Sequence, residues 1–246
     1  VSAPAAPVRR TGGLQLGRTA QRHGWTIGVW VLLFAMLAFE KHIQPGMGAF
    51  DIQSLVLGAA PLVFAAMAQA CVVINGGIDL SVGSLISVVN VLSARFMLNH
   101  SFRYAILASL VLIVLTAMAG ALTAVIITIS RVPDIVVTLA TSFFWAGVAL
   151  EILSVPGGGA PNDYLNLGNG TFQTAWLPNE FVVILLSFAV VWLPLRWARP
   201  GLALYAMGSN RDRAFLSGVS LGWTRILAYS VGGVFSALGG LALTAS

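Results

Sequence analysis

The sequence predicts an all-α, polytopic bundle of transmembrane helices, and three observations carry that prediction. First, the 246 residues are 58% hydrophobic and only 9% charged, with a mean hydropathy of +0.90, whereas soluble domains carry about 25% charged residues. Second, the apolar residues are gathered into runs close to the roughly 20 residues that a helix needs to cross a bilayer. Third, the basic residues behind the net charge of +5 are spread between those runs. A soluble globular enzyme and a disordered chain are excluded by composition. Nucleic acid is excluded as a partner, because its binders gather basic residues into a patch or stripe on one face.

Taken in order, residues 1–24 form a basic tail with Arg9, Arg10, Arg18 and Arg22, and residues 25–246 form the membrane domain. The first apolar run, 25–39, is short for a span and reaches full thickness if Glu40 and Lys41 extend toward the interface. Further runs cover 54–74, 82–98, 104–129, 135–153 and 181–195, and a last one starts near 226 and is still apolar at Ser246. The expectation is six spans plus the start of a seventh, in a chain that is C-terminally incomplete. Lys and Arg collect in cytoplasmic loops. A cytoplasmic N-terminus places ten basic residues inside and only Lys41, Arg95 and Arg103 outside. The single Cys71 lies inside an apolar run and is expected to pack as a small hydrophobe. Residues 154–180, with Gly157-Gly158-Gly159, are expected to be an irregular, exposed outer loop.

Three interruptions break the membrane pattern. The first is Asn75-Gly76-Gly77-Ile78-Asp79-Leu80-Ser81-Val82-Gly83-Ser84. Paired glycines stop a helix, and Asp79 or Ser81 can cap the next one. Backbone opened at membrane depth is tolerated where it lines a water-filled cavity or is buried in protein. The segment is therefore a candidate for a transport pathway, and the competing reading is a tight cytoplasmic turn capped by Asp79. The second interruption runs from Arg131 through Pro133 and Asp134 to Thr138 and Thr141. Pro133 suits a helix start, and the two hydroxyls serve interhelical packing ahead of solute contact.

The third is the inner loop 196–225. There Asn210 reads as an N-cap, Asp212 as a first-turn charge and Gly218 as a helix stop, giving about two turns of helix. Phe215, Leu216 and Val219 form its apolar side, with Arg211 and Arg213 exposed. So short a helix is not stable in isolation. It must dock, either on the chain's own membrane helices or in a groove of a cytoplasmic partner.

At these motifs the chain resembles the membrane permease subunits of bacterial ABC importers for monosaccharides, of the ribose, xylose and galactose type. The residues that carry the resemblance are Gly76-Gly77-Ile78-Asp79-Leu80-Ser81-Val82-Gly83-Ser84, the stretch from Pro133 to Thr141, and Pro200 through Asn210 continuing to Ser217-Gly218-Val219. The resemblance runs from about residue 50 to the end. It implies a multi-pass permease in the bacterial cytoplasmic (inner) membrane, surrounded by membrane lipids and paired with a second copy or a homologue. It also implies an ABC ATPase subunit beneath and an extracytoplasmic sugar-binding protein above. Gly208, Asn210, Arg211, Ala214, Phe215 and Gly218 would belong to the coupling helix that rests in a groove of the ATPase. Members commonly carry two alanines where this chain has Ala214-Phe215, so its contact is bulkier.

The chain has no Gly-x-x-x-x-Gly-Lys-Ser/Thr motif, and Lys41 is its only lysine. No cofactor is expected on this chain; ATP and Mg belong to the partner ATPase. Neutral, hydroxyl-rich solutes need hydrogen-bonding partners without strong fixed charge. The expected translocation path is Asn75, Gly76, Gly77, Asp79, Ser81, Ser84, Thr138 and Thr141. An alternative is a secondary transporter or channel in which Asp79 couples solute to protons. A catalytic role is disfavoured, since His23, His42 and His100 all fall near span ends and no Cys/His cluster offers a metal site.

Overall fold

The computed structural model describes residues 13–246 apart from Pro156, Gln173 and Ala175, with side chains from Gly24 onward. Arg9, Arg10 and the side chains of Arg18 and Arg22 lie outside the described residues. The chain divides into two units, up to Gly48 and from Ala49.

The first unit holds α1, Gly13–Ile43, whose portion Gly24–Ile43 is long and apolar enough to cross a membrane. The helix continues through Glu40 and Lys41. Lys41 Nζ donates to the carbonyls of Pro45 (3.1 Å) and Met47 (2.9 Å), which satisfies the chain where the helix ends.

The second unit contains α2 (Ala49–Ile74), α3 (Val82–Met97), α4 (Phe102–Ser130), α5 (Asp134–Ile152), α6 (Asn162–Asn169), α7 (Asn179–Ser187), α8 (Leu193–Trp197), α9 (Arg199–Ser209), α10 (Arg211–Leu216) and α11 (Leu221–Ala245). A π-helical turn, Phe188–Trp192, joins α7 and α8 into one span, Asn179–Trp197. Six helices among the described residues have the length and apolarity to cross a membrane, while α3 has only 16 residues. At about 1.5 Å per residue, α3 falls short of the hydrocarbon thickness of roughly 30 Å, as suits a helix that follows the interrupted segment. The run expected from 226 begins one turn earlier, at Leu221, and is a helix through Ala245.

α11 is the centre of the unit. It packs against α2, α3 and α4, burying Tyr229, Phe235, Ala237, Leu241 and Ala242. Small residues make this possible, because helices in lipid associate by close van der Waals contact rather than by a hydrophobic drive. A methyl group on Gly233 would fall on the Thr116 carbonyl of α4, and one on Gly120 would fall on the Tyr229 carbonyl. Cys71 is fully buried in the core with Phe64, Ala68 and Phe235. The outward faces stay apolar and exposed, among them Leu107, Leu110, Val114 and Met118 on α4, as a lipid-facing surface requires.

The expected irregular loop at 154–180 is corrected in part. It contains α6, whose Tyr164 is buried beneath α4 and accepts a hydrogen bond from Ser109 Oγ at 3.2 Å. Tertiary burial of one aromatic, not local propensity, holds this helix. Gly158 lies at φ +90° against the Ala94 carbonyl, a left-handed position that favours glycine. The inner loop likewise holds more helix than expected, since α9 precedes α10. Pro200 sits in the first turn of α9, and Leu204 and Met207 are its buried side.

Candidate functional site

The first interruption closes α2 with a defined turn. Gly76, at φ +79°, takes the left-handed position, with Gly76 N–H donating to the Val73 carbonyl (2.9 Å) and Gly77 N–H to the Val72 carbonyl (3.0 Å). Asn75 is buried with its Oδ1 unpartnered. The chain then turns through Asp79, 6% exposed, whose Oδ1 accepts from Ser81 N–H (2.8 Å) and Ser81 Oγ (2.6 Å). Asp79 therefore fixes the turn that leads into α3. Ser81 stands at the N-cap position without making a side-chain cap bond of its own. Asp79 lies between the spans, and burial pushes its carboxyl above the ordinary range, partly offset by the two Ser81 bonds.

The second interruption folds against the first. Thr138 is fully buried and donates to the Asp134 carbonyl at 2.9 Å, while Thr141 donates to the Thr138 carbonyl at 3.1 Å. Ser84 Oγ donates to the Ser81 carbonyl at 2.8 Å. These bonds are to backbone within one turn, not the interhelical bonds expected of the two threonines; only Thr138 Oγ1 also reaches another segment, at 3.4 Å from the Ile78 carbonyl. The pathway residues thus come together at one end of the bundle, where α2 and α4 end and α3, α5 and α11 begin.

Three residues that the sequence reading did not connect hold this end together. The single Tyr229 O–H lies within donating distance of both Asp134 Oδ2 (3.1 Å) and the Ile78 carbonyl (3.3 Å), and Arg225 Nη2 lies 3.8 Å from Asp134 Oδ1. Tyr229 is fully buried and Arg225 is 8% exposed. One aromatic of α11 therefore pins the glycine turn to the start of α5. The available signal was a pair of opposite charges, Asp134 and Arg225, each at the start of an apolar run expected on the same face.

The coupling segment meets the same end. Gly208, in the last turn of α9, lies so close to α2 that a methyl group there would fall on the Ile74 carbonyl, and Gly76 approaches the Gly208 Cα in return. Immediately after, Asn210 Oδ1 accepts from Arg213 N–H at 2.9 Å, capping α10 as its sequence predicts. Gly218, at φ +83°, ends it: Gly218 N–H donates to the Phe215 carbonyl (2.9 Å) and Val219 N–H to the Ala214 carbonyl (3.0 Å). Ala214 is buried against the chain's own helices, whereas Phe215 and Leu216 are 65% and 83% exposed. The expected apolar side of Phe215, Leu216 and Val219 is thus not what docks α10: Ala214 does, while Phe215 and Leu216 project away and Val219 is half-buried. Arg211 and Arg213 are exposed.

At the opposite end of α3 and α11, Thr244 Oγ1 donates to Asn90 Oδ1 at 2.9 Å and contacts Ser93 Oγ. Asn90 and Thr244 line a cavity of about 320 Å³ with the backbone of Gly157, Gly158 and Gly159. Among the described residues no group of three or more His, Cys, Asp or Glu side chains is placed to hold a metal ion.

Residues 52–246 match the model of a family described as the permease component of branched-chain amino acid transport systems. The chain is 27% identical over 233 residues to the autoinducer 2 import system permease protein LsrD of Escherichia coli K12, covering 90% of this chain and 68% of that protein. It is 26% identical over 219 residues to the ribose import permease protein RbsC of Haemophilus influenzae, covering 87% and 67%. No solved structure matches the chain. With a family match over most of its length and a multi-pass helical bundle around the matched motifs, the chain belongs to this family of transport-system permease components.

Proposed function

We propose that this permease component serves an ATP-driven importer of the bacterial inner membrane and conducts a monosaccharide or a similar small polyhydroxylated solute delivered by an extracytoplasmic binding protein. The two relatives are named for import of autoinducer 2 and ribose, which supports that class of solute. The observation that carries the mechanism is α10: capped by Asn210, stopped at Gly218 and docked by Ala214, it leaves Phe215 and Leu216 exposed as an anchor for the groove of a partner ATPase.

Movement of that anchor passes to the bundle by backbone contact. α10 follows directly on Gly208, which is wedged on the end of α2, and the adjacent turn is held by Tyr229 of the central helix. A displaced α10 therefore pushes on Asn75, Gly76, Gly77, Asp79, Ser81 and Ser84, while Thr138 and Thr141 carry the push into α5. In this reading those residues form the inner gate of the path. The cavity at Asn90 and Thr244 offers hydroxyl and amide partners at its outer end. The second permease copy would complete a path that one bundle only borders.

The test is reconstitution with the ATPase and binding protein in vesicles. Phe215→Asp and Leu216→Asp are expected to abolish solute-stimulated ATP hydrolysis and uptake while the permease still inserts. Uptake at wild-type rate in both variants would sink the assignment of α10. Uptake that collapses with a protonophore while ATP is maintained would replace the ATP-driven reading with a proton-coupled one through Asp79.

A further inference from the structure

Beside α10, at the junction of α4, α5 and α11, lies a half-open cavity of about 390 Å³, within the size range of small-ligand sites. Arg131, Arg211 and Arg225 line it with a single carboxylate, Asp134, so three positive charges face one negative. Asp134 is already engaged by Tyr229 Oη and by Arg225 Nη2. Among the described residues, neither Arg131 nor Arg211 has a carboxylate within ion-pair distance. Arg225 is 8% exposed, yet its Nε is buried without an acceptor. Buried donors of that kind are rarely left unmet and call for an acceptor that the protein itself does not supply.

The backbone favours the same sign. Leu221 and Gly222, the first residues of the 25-residue α11, line the cavity, and the Ser220 side chain makes no cap bond. The amides of the first turn are thus free for an anion, and the positive end of the helix dipole points at it. The carbonyl end of α4 also reaches the cavity and opposes this field; Arg131 N–H meets one of its carbonyls, that of Ile127, and the Arg131 side chain adds positive charge at the same end. Beside the arginines the surface turns apolar: Val132 lines the cavity, and Ile129, Val132, Ile135 and Val136 are exposed. On another face of α11, at the same end of the helix, Trp223 is 74% exposed. Exposed Trp marks the headgroup level of a membrane protein, and exposed aliphatic side chains suit acyl chains.

We propose that this cavity binds a phosphate group, paired with Arg131, Arg211 and Arg225 Nε, and that the headgroup of an anionic phospholipid in the adjoining leaflet presents it. A free phosphate anion offers the same chemistry. The proposal requires only that these helices cross a membrane, so its failure would leave the coupling role of α10 untouched.

The test uses the full-length permease purified in detergent and three probes: dioctanoyl phosphatidylglycerol, dioctanoyl phosphatidylcholine and inorganic phosphate. Binding is read by native mass spectrometry and by the shift in melting midpoint. The expected result is saturable binding of phosphatidylglycerol, weakened at least tenfold in the Arg131→Gln/Arg211→Gln variant, which alters exposed side chains and should remain monodisperse. Arg225→Lys, which keeps the charge and removes the Nε donor, should weaken it separately. Phosphatidylglycerol binding that inorganic phosphate does not displace identifies the lipid as the source. Binding of inorganic phosphate with the same arginine dependence identifies the free anion and keeps the site. Equal binding of phosphatidylcholine, binding insensitive to all three substitutions, or no binding overturns the proposal. It is also overturned if the substitutions impair only association with the ATPase and leave phosphatidylglycerol binding intact, because a partner carboxylate would then be the occupant.

Discussion

Tyr229→Phe removes one oxygen from the fully buried contact between α11, the glycine turn and α5. The lost bond to Asp134 is to a charged group, worth about 1.5–3 kcal/mol net, and the ring is otherwise unchanged. For a chain of this size 1 kcal/mol corresponds to roughly 2–4 °C of melting midpoint, so the variant should melt roughly 3–12 °C lower. Asp134→Asn removes the only carboxylate among the described residues within 4 Å of Arg225; because the pair is 3.8 Å apart and Asp134 is 19% exposed, the loss should stay below the about 3–5 kcal/mol of a fully buried pair broken from one side. If Tyr229 acts through Asp134, the two losses overlap, and the double variant should fall short of their sum by roughly 1–2 kcal/mol. The assay is fluorescence-detected size-exclusion chromatography of heated, detergent-solubilised protein for wild type, both single variants and the double variant. Additive losses would refute the claim that Tyr229, Asp134 and Arg225 form one unit. A Tyr229→Phe midpoint equal to that of wild type would refute the claim that the hydroxyl matters.

Other expectations follow from particular contacts. Gly208→Ala places a methyl group on the Ile74 carbonyl and should lower uptake per ATP hydrolysed in reconstituted vesicles, with basal hydrolysis retained; an unchanged ratio would remove Gly208 from the transmission path. Asp79→Asn keeps an oxygen to accept the Ser81 bonds and discards a buried charge, so it should melt no lower than wild type, whereas Asp79→Ala loses both Ser81 bonds and should melt roughly 2–8 °C lower at about 1–2 kcal/mol. Equal melting of the two variants would contradict a stabilising role for the Ser81 bonds. Gly233→Val forces α11 off α4 and should abolish monodisperse expression; a well-behaved Gly233→Val protein would contradict the close helix contact.

Most spans were legible because apolar runs report directly on a bilayer; the exception is the run 82–98, expected as a full span, whose helix α3 has only 16 residues. α10 was legible because its stop and start are local: Asn210 reaches three residues ahead, and Gly218 needs only its own φ. α6 was not legible, since what holds it is Tyr164 beneath a helix some fifty residues earlier in the chain. The same limit hid the cluster at the motif. Asp134 and Tyr229 stand 95 positions apart, and only the packing of α11 against its neighbours brings them together. The motif residues themselves were found by type, as glycines and polar groups out of place in an apolar chain. Their local bonding partners could not be read from spacing.

The glycine seams of α11 bear on how such a permease can move. A helix whose backbone touches that of α4 through Gly120 and Gly233 and that of α3 through Gly240 can neither slide nor roll past them without collision. α3, α4 and α11 must then travel as a single rigid block during a transport cycle. The give has to come from elsewhere, and the span Asn179–Trp197 is built for it: shallowly embedded in the unit, with a widened π turn at Phe188–Trp192 and a proline at 194 just beyond.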